Sequence, residues 1–250
     1  MARQTALVTG ASYGVGAASA LALARAGFDV AVTATRAENL KDTLAKLGQT
    51  DAKAIAVVLD LRAPDSIAQA FAAVTSAFGA LDLLVNNAGA NLRKRVVEVT
   101  PAEWDAVFAV NVTGTFLLTQ QAGRHWIGGR RPGCVVNIAS THGLVGAAER
   151  STYGIAKAAI IHMTKMLAIE WAEHGIRLNA IAPGRMDTAS PSRAEKGADA
   201  AYMAAMLARI PLHRLATAEE VAAAVCYLAS PEAASVTGQT LVIDGGLTAA

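Results

Sequence analysis

The sequence predicts an α/β fold, a doubly wound parallel sheet flanked by helices on both faces, from three observations. Seven apolar runs of strand length recur along the 250 residues. They are continuous rather than alternating, the pattern of strands buried on both faces. Each of the first six is followed by a segment with helical character, and strands that alternate with helices are joined by parallel crossovers.

The first run, ALVTG (6–10), leads into TGASYGVG and the alanine-rich helix AASALALARAG. The second, DVAVTAT (29–35), meets Arg36, and the third, AIAVVLD (54–60), ends at Asp60. The fourth, LDLLVNN (81–87), ends on Asn86 and Asn87. Thr100, Pro101 and Glu103 then supply an N-cap, a proline at the first helical position and a capping-box partner, and Thr217 with Glu220 repeats the box. CVVNIAS (134–140) ends on Ser140, and IRLNAIAP (176–183) leads to DTASPSRAEKGADA, 187–200, the loosest composition in the chain. A polar segment beyond a strand's carboxyl end lies at the ligand edge of an open sheet, as a lid or as an ordinary surface insertion. QTLVID (239–244) is the seventh strand. No linker rich in Pro and Gly divides the chain and no repeat appears, so residues 1–250 are expected to fold as one domain.

Hydrophobic residues make up 53% and charged residues 17% of the chain, and roughly a fifth of it is alanine. The mean hydropathy is +0.35, yet charged or turn residues interrupt every apolar stretch before the roughly 18 residues that a bilayer span needs. The surplus of apolar surface therefore points to burial in protein. A net charge of +2, from 22 basic and 20 acidic side chains, gives no broad field for nucleic acid or an anionic membrane. The short basic spots at Arg93–Arg95 and Arg130–Arg131 read as solvated loop charges. The opening MARQTALVTG lacks the apolar core of a signal peptide, which leaves a cytoplasmic address as the expectation. Cys134 and Cys226 read as buried free thiols, and five scattered histidines support no metal site.

The segment STYGIAKAAIIHMTKMLAIEWAE, 151–173, is expected to form one long helix. Its apolar residues Ile155, Ala158, Ile161, Met163, Met166, Leu167, Ile169 and Trp171 cover most of the circumference. One sheet face cannot bury such a helix all round, so a second subunit is expected and the chain reads as a homo-oligomer.

Two constellations carry chemistry. Gly10, Gly14 and Gly16 stand between a strand and a helix, where glycines let the backbone approach a pyrophosphate and the helix N-terminus meets its charge. The second strand ends Thr33, Ala34, Thr35, Arg36, with no carboxylate before Glu38. A carboxylate there would bind a ribose 2′-hydroxyl, whereas a guanidinium pairs bidentately with a 2′-phosphate. NADP is therefore the expected cofactor, with NAD as the alternative if Arg36 simply opens a solvated helix. Tyr153 and Lys157 are four apart and share one helix face. An ammonium beside a phenol favours the phenolate, and bringing a tyrosine from about 10 to about 7 takes roughly 4 kcal/mol. Ser140, at the carboxyl end of its strand, faces the same crevice.

TGASYGVG, Asp60, NNAG (86–89), Asn111, Ser140, YGIAK (153–157) and PG (183–184), in this order, resemble the short-chain dehydrogenase/reductase family over nearly the whole chain. The resemblance implies a Rossmann-type domain in which Gly10, Ser12, Tyr13, Gly14, Val15 and Gly16 hold the pyrophosphate and the adjoining ribose. It implies that Asp60 and Leu61 contact the adenine and that Asn87, Ala88 and Gly89 line the adenosine and the central part of the cofactor. Thr188, after the turn at Pro183 and Gly184, would bind the carboxamide together with the backbone at Met186. Asn111, Ser140, Tyr153 and Lys157 would be the catalytic tetrad. In that set Tyr153 exchanges a proton with the carbonyl oxygen, Ser140 hydrogen-bonds it, Lys157 holds the nicotinamide ribose and tunes Tyr153, and Asn111 anchors a water chain. Where the family often places a basic residue before the second glycine, this chain has Tyr13, so the NADP reading rests mainly on Arg36.

The substrate pocket is expected to draw on Asn91, Leu92 and Arg93, on His142, Leu144 and Arg150, and on Arg185 with the 187–200 segment. His142, two residues past Ser140, reads as pocket lining before a second acid. Arg150 suits an anionic or polyhydroxylated substrate, or else a surface or interface ion pair. Similarity to 3-oxoacyl-acyl-carrier-protein reductases and to sugar or polyol dehydrogenases, with IDGG at 243–246, sets the order of expectations. NADPH-dependent reduction of a 3-oxoacyl thioester or related ketone comes first and a sugar-type alcohol dehydrogenase second. A dinucleotide-sensing protein without turnover comes third, and the intact tetrad speaks against it. The expected partners are a small carbonyl or alcohol substrate and further copies of the chain, as a homotetramer.

Overall fold

The computed structural model describes residues 3–186 and 200–250, and of residues 200–202 the backbone alone. The strands are β1 (Gln4–Val8), β2 (Phe28–Ala34), β3 (Ala54–Val58), β4 (Leu83–Asn86), β5 (Gly133–Ile138), β6 (Ile176–Pro183) and β7 (Thr240–Ile243). Between them lie α1 (Gly14–Arg25), α2 (Lys41–Leu47), α3 (Pro64–Phe78), α4 (Pro101–Phe108), a π-helical turn (Ala109–Gly114), α5 (Thr115–Gly128), α6 (Ser151–Glu170), α7 (Ala200–Ala208) and α8 (Ala218–Ala229). The strands pair in the order β3-β2-β1-β4-β5-β6-β7, every pair parallel. Each predicted apolar run is a strand of this sheet. Most stop a residue or two early at the carboxyl side, where the chain leaves the ladder toward the crevice. Strand order reverses between β1 and β4, the switch point at which open α/β sheets bind ligands.

Successive residues of β1 show how the two layers form. Ala6 and Val8 join Leu23, Val30, Val136 and Val225 on one side, while Leu7 joins Phe71, Leu84, Trp126 and Leu178 on the other. Part of the alanine surplus serves the packing of α1 on α8: Ala20, Ala24 and Ala224 are buried in one cluster there, and small side chains let the helices approach closely. On the opposite layer Trp126 is fully buried, its indole Nε1 donating to the Leu81 carbonyl at 2.6 Å, with Gly133 packed flat against the ring. Losing that side chain would cost about 3–5 kcal/mol.

Both expected capping boxes are present. Thr100 Oγ1 accepts from the Glu103 N–H at 3.2 Å and Thr217 Oγ1 from the Glu220 N–H at 3.1 Å, and each glutamate accepts from its cap's N–H at 2.9 Å. The helix expected over 151–173 ends sooner, at Glu170, and a 3₁₀ turn, Ala172–His174, follows. Trp171 swings in onto Gly123, and Gly175, at φ 70°, turns the chain into β6. The basic spots are not simply solvated, because Arg93 pairs with Glu149 at 2.7 Å, Lys94 with Glu103 at 2.9 Å and Arg131 with Asp82 at 2.6 Å. Cys134 is a buried free thiol pushed up to about 11 by burial, and Cys226 is half-buried and free. Among the described residues no helix is long and apolar enough to cross a membrane, and no group of His, Cys, Asp or Glu could hold a metal ion.

Candidate active site

The glycine loop sits at the switch point, and its geometry requires glycine. Gly10 and Gly14 have φ of 63° and 58°, the left-handed region that side chains rarely adopt. A side chain at Gly16 would run into the Gly10 carbonyl and the Asn87 amide, and one at Gly10 would sit 2.8 Å from Ala88 Cα. Thr9 ties this loop to the end of β4: its Oγ1 accepts from the N–H groups of Asn87 (2.9 Å) and Ala88 (3.0 Å). Asn87 Nδ2 in turn donates to the carbonyls of Thr9 and Gly10, both at 2.9 Å. Tyr13, the N-cap of α1, is half-exposed and makes no side-chain cap bond, and no acidic residue occupies the first turn. The first N–H groups of α1 thus lack a side-chain acceptor, beside a cradle that any Cβ would fill, with Ser12 partly exposed and Val15 buried beneath. These residues fit the pyrophosphate of a dinucleotide.

Further along the same edge, Arg36 is exposed directly after β2, and among the described residues its side chain makes no hydrogen bond or ion pair. Asp60, by contrast, is clamped by Arg62, whose Nε and Nη2 donate at 2.9 and 2.7 Å, and this guanidinium holds its carboxyl below the usual range. Leu61 is buried against Gly114. Gly184, next to Pro183 at the end of β6, leaves no room for a side chain because Asp244 Cβ lies 2.7 Å from where a Cβ would stand. Met186 bridges to Ala216. Thr188 and nearly all of the 187–200 segment lie outside the described residues.

At the reacting end, α6 delivers Tyr153 and Lys157 on one face. Lys157 is buried, its Nζ donating to the Ile138 carbonyl at 2.7 Å and standing 5.7 Å from the centre of the Tyr153 ring. Burial lowers its ammonium to about 8. The π-helical turn delivers Asn111, whose Nδ2 donates to Ala90 (2.7 Å) and Val107 (3.0 Å), while its buried Oδ1 has no partner. A Cβ on Gly89 would lie 2.8 Å from that Oδ1 and 3.6 Å from Lys157 Nζ, so both groups converge over Gly89. Ser140 leaves β5 in extended conformation, and its Oγ accepts from the His142 N–H at 3.2 Å. Gly143 then presses on the α6 backbone, 2.8 Å from the Lys157 carbonyl carbon for an added Cβ, which holds the Ser140 loop against the tyrosine's helix.

A buried polar ladder that sequence reading missed fixes these elements. Asn86 Nδ2 donates to Thr119 Oγ1 on α5 (2.9 Å) and Asn137 Oδ1 on β5 (2.8 Å), and Asn137 Nδ2 donates to Thr164 Oγ1 on α6 (2.9 Å). Asparagines inside otherwise apolar strands were the available signal, since a buried amide demands partners. Of the residues expected to line a substrate pocket, Arg150 Nη1 donates to Asn91 Oδ1 at 2.7 Å, and Arg93 pairs with Glu149. The His142 ring meets the Tyr153 ring edge-on, centres 6.2 Å apart, and burial, then the Arg150 charge, lower its imidazolium. Leu144 is exposed, Arg185 partly so, and Leu92 is half-buried.

A family model described as enoyl-(acyl carrier protein) reductase matches residues 10–248. Cis-4-hydroxycyclohexanecarboxylate dehydrogenase of Sinomonas cyclohexanicum is 40% identical over 99% of this chain and 98% of its own. A 3-oxoacyl-[acyl-carrier-protein] reductase of Thermotoga maritima is 38% identical over 96% of each chain. Among solved structures, a variant of actinorhodin polyketide ketoreductase with NADPH superposes with a TM-score of 0.92 at 34% identity, over 98% of this chain and 97% of that one. The present chain is thus alike to each of these relatives over nearly its whole length. It belongs to the short-chain dehydrogenase/reductase family of NAD(P)-dependent oxidoreductases acting on the CH–OH group.

Proposed function

We propose that the protein interconverts a ketone and a secondary alcohol with NADP(H), 3-oxoacyl compounds and related ketones being its first substrates. The observation that carries the reading is the buried Lys157 ammonium held beside the Tyr153 phenol on one face of α6. NADP(H), when bound, supplies or accepts the hydride. Tyr153 gives its phenolic proton to the carbonyl oxygen in reduction and takes it back in oxidation. At neutral pH most of Lys157 stays protonated, and a cation in a dry setting lowers the cost of the phenolate. Ser140 accepts its hydrogen bond from the His142 N–H, so the hydroxyl's own proton is left to donate to the same substrate oxygen. Asn111 offers its buried Oδ1 over Gly89 as an acceptor for the proton path.

For the cofactor, Gly10, Ser12, Tyr13, Gly14, Val15 and Gly16 hold the pyrophosphate, and Asp60, Leu61, Asn87, Ala88 and Gly89 hold the adenosine and central part. The uncommitted Arg36 guanidinium at the end of β2 favours a 2′-phosphate, hence NADP over NAD. The relatives' activities, on a cyclohexanol carboxylate, 3-oxoacyl groups and a polyketide, support a ketone or secondary alcohol as the common denominator. The exposed apolar face of α6, with Ile155, Met166 and Ile169, supports a homo-oligomer, which we take to be a tetramer.

The test follows the reduced-nicotinamide absorbance with NADPH and NADH across 3-oxoacyl thioesters, diketones, sugars and secondary alcohols. Oxidation of NADPH with 3-oxo compounds is the expected result. Turnover of sugars alone would replace this substrate reading, and cofactor binding with no turnover anywhere would overturn the catalytic one.

A further inference from the structure

We propose that Thr164 and Asn137 are positioning residues for the reaction: with Asn86 and Thr119 they form a buried polar spacer that sets how far apart Asn111 and Lys157 stand. This deepens the ketone-reducing reading above and rests on it. Helix α6 is joined to β5 at two heights. Lys157 Nζ donates to the Ile138 carbonyl at 2.7 Å, and from the neighbouring strand residue Asn137 Nδ2 donates to Thr164 Oγ1 at 2.9 Å. Thr164 lies seven residues after Lys157, which is two turns along the same helix face, roughly 10 Å away.

The second helix is held in the same way. Thr119 on α5 lies eight residues after Asn111 of the π-helical turn, again about two turns on. Asn86 Nδ2 uses its two hydrogens to join the halves, one donated to Thr119 Oγ1 at 2.9 Å and one to Asn137 Oδ1 at 2.8 Å. An unbroken chain of side-chain hydrogen bonds therefore runs from α5 through β4 and β5 to α6. It crosses the layer two turns away from the point over Gly89 where Asn111 Oδ1 and Lys157 Nζ converge.

Both ends of the chain are locked. Thr119 and Thr164 accept from an asparagine and give their own hydroxyl protons back to their helices, to the Thr115 carbonyl at 2.7 Å and the Ile160 carbonyl at 2.8 Å. All four side chains are buried. Apolar side chains would fill this space without desolvating two amides, but apolar contact is non-directional and lets packed helices slide. A hydrogen-bonded chain has a fixed length, and a slip would leave a buried donor without its acceptor. The glycine cradle is secured by a separate set of bonds, from Thr9 to Asn87 and Ala88. Loss of the spacer should accordingly disturb the reacting groups and spare the cofactor's cradle.

The experiment measures kcat for ketone reduction and Kd for NADPH in wild type, Thr164→Val, Thr164→Ser and Thr119→Val. Valine keeps the shape of threonine and removes the hydroxyl, so kcat in Thr164→Val should fall about tenfold to a hundredfold, the range of a displacement of about 1 Å. Kd should stay within about threefold, and Thr164→Ser, which restores the hydroxyl, should bring kcat back to within about threefold of wild type. Thr119→Val carries the same expectation from the other end and decides the matter if Thr164→Val does not fold. Leu47→Ala, a core loss on α2 in the opposite layer, is the control for destabilisation alone. A Tm that falls while kcat per folded enzyme stays at the wild-type level, or a serine that restores nothing, overturns the spacer. If the wild type reduces no carbonyl compound, the ketone-reducing reading falls instead. The spacer is then decided by acetic anhydride labelling of Lys157, followed by mass spectrometry. Faster labelling in Thr164→Val than in wild type and Leu47→Ala supports it, and equal rates overturn it.

Discussion

Replacing Lys157 by methionine keeps the length of the side chain and removes its charge. Lys157 is 5% exposed, and burial lowers its ammonium from its ordinary value of 10.5 to about 8. In the unfolded chain the same lysine holds its proton to about 10.4. Between those values the unfolded state binds more protons than the folded one, so stability rises with pH, by at most about 1.4 kcal/mol per pH unit. Summed from pH 8 to pH 10 the gain is about 2 kcal/mol, and methionine has no such dependence. Urea unfolding of wild type and Lys157→Met, at equal protein concentration and at pH 8, 9 and 10, should show the wild type gaining about 2 kcal/mol on the variant. At any single pH two effects oppose, because methionine also leaves the Ile138 carbonyl without its donor, about 1–3 kcal/mol. Only the slope isolates the buried charge. A difference that stays flat, or shrinks as pH rises, refutes the reasoning, since the folded ammonium would then be as well solvated as the unfolded one.

Three further outcomes follow from the site and its surroundings. Arg36→Ala should raise KM for NADPH about tenfold or more and leave KM for NADH nearly unchanged, because on the proposed reading only the 2′-phosphate would meet that guanidinium; equal effects on both cofactors would reassign Arg36 to the helix start. Gly16→Ala places a methyl against the Gly10 carbonyl and the Asn87 amide, so the loop must shift. Loss of NADPH binding by fluorescence titration, with about 1–3 kcal/mol of lost stability, is expected, and unchanged binding would mean that the cradle is not the cofactor's. Light scattering should give a mass above that of one chain, and Ile169→Glu, at a position 79% exposed in the single chain, should reduce it; a monomeric wild type at micromolar concentration contradicts the oligomer.

The sheet is legible in the sequence because a strand covered on both faces must be apolar throughout, and all seven such runs lie in it. The capping boxes at Thr100 and Thr217 are legible because a cap is a local interaction between residues three apart. The glycine loop, Ser140 and the Tyr153–Lys157 pair were visible for the same reason, each marked by spacing or by its place at a strand's end. What stayed hidden depends on residues far apart in the chain. Threonine is unremarkable in a strand, yet Thr9 holds the N–H groups of Asn87 and Ala88 and so welds the glycine loop to β4. The Asn86–Asn137–Thr164 ladder crosses β4, β5 and α6. Arg93 looked like a solvated charge because its partner, Glu149, lies across the crevice loops. Helix 151–173 was read too long because Trp171 continues the apolar pattern, while its contact with Gly123 on α5 is what bends the chain away.

Binding and turnover measured side by side in wild type and Tyr153→Phe test the reacting end most directly. The phenylalanine ring keeps its place against His142 and Lys157 and lacks only the hydroxyl. NADPH affinity, by fluorescence titration, should stay within about threefold of the wild type, while ketone reduction followed at the reduced-nicotinamide band should fall about 10²- to 10⁴-fold, the range of a lost proton donor. Reduction retained at close to the wild-type rate would contradict the assignment of Tyr153 as the residue that delivers the proton.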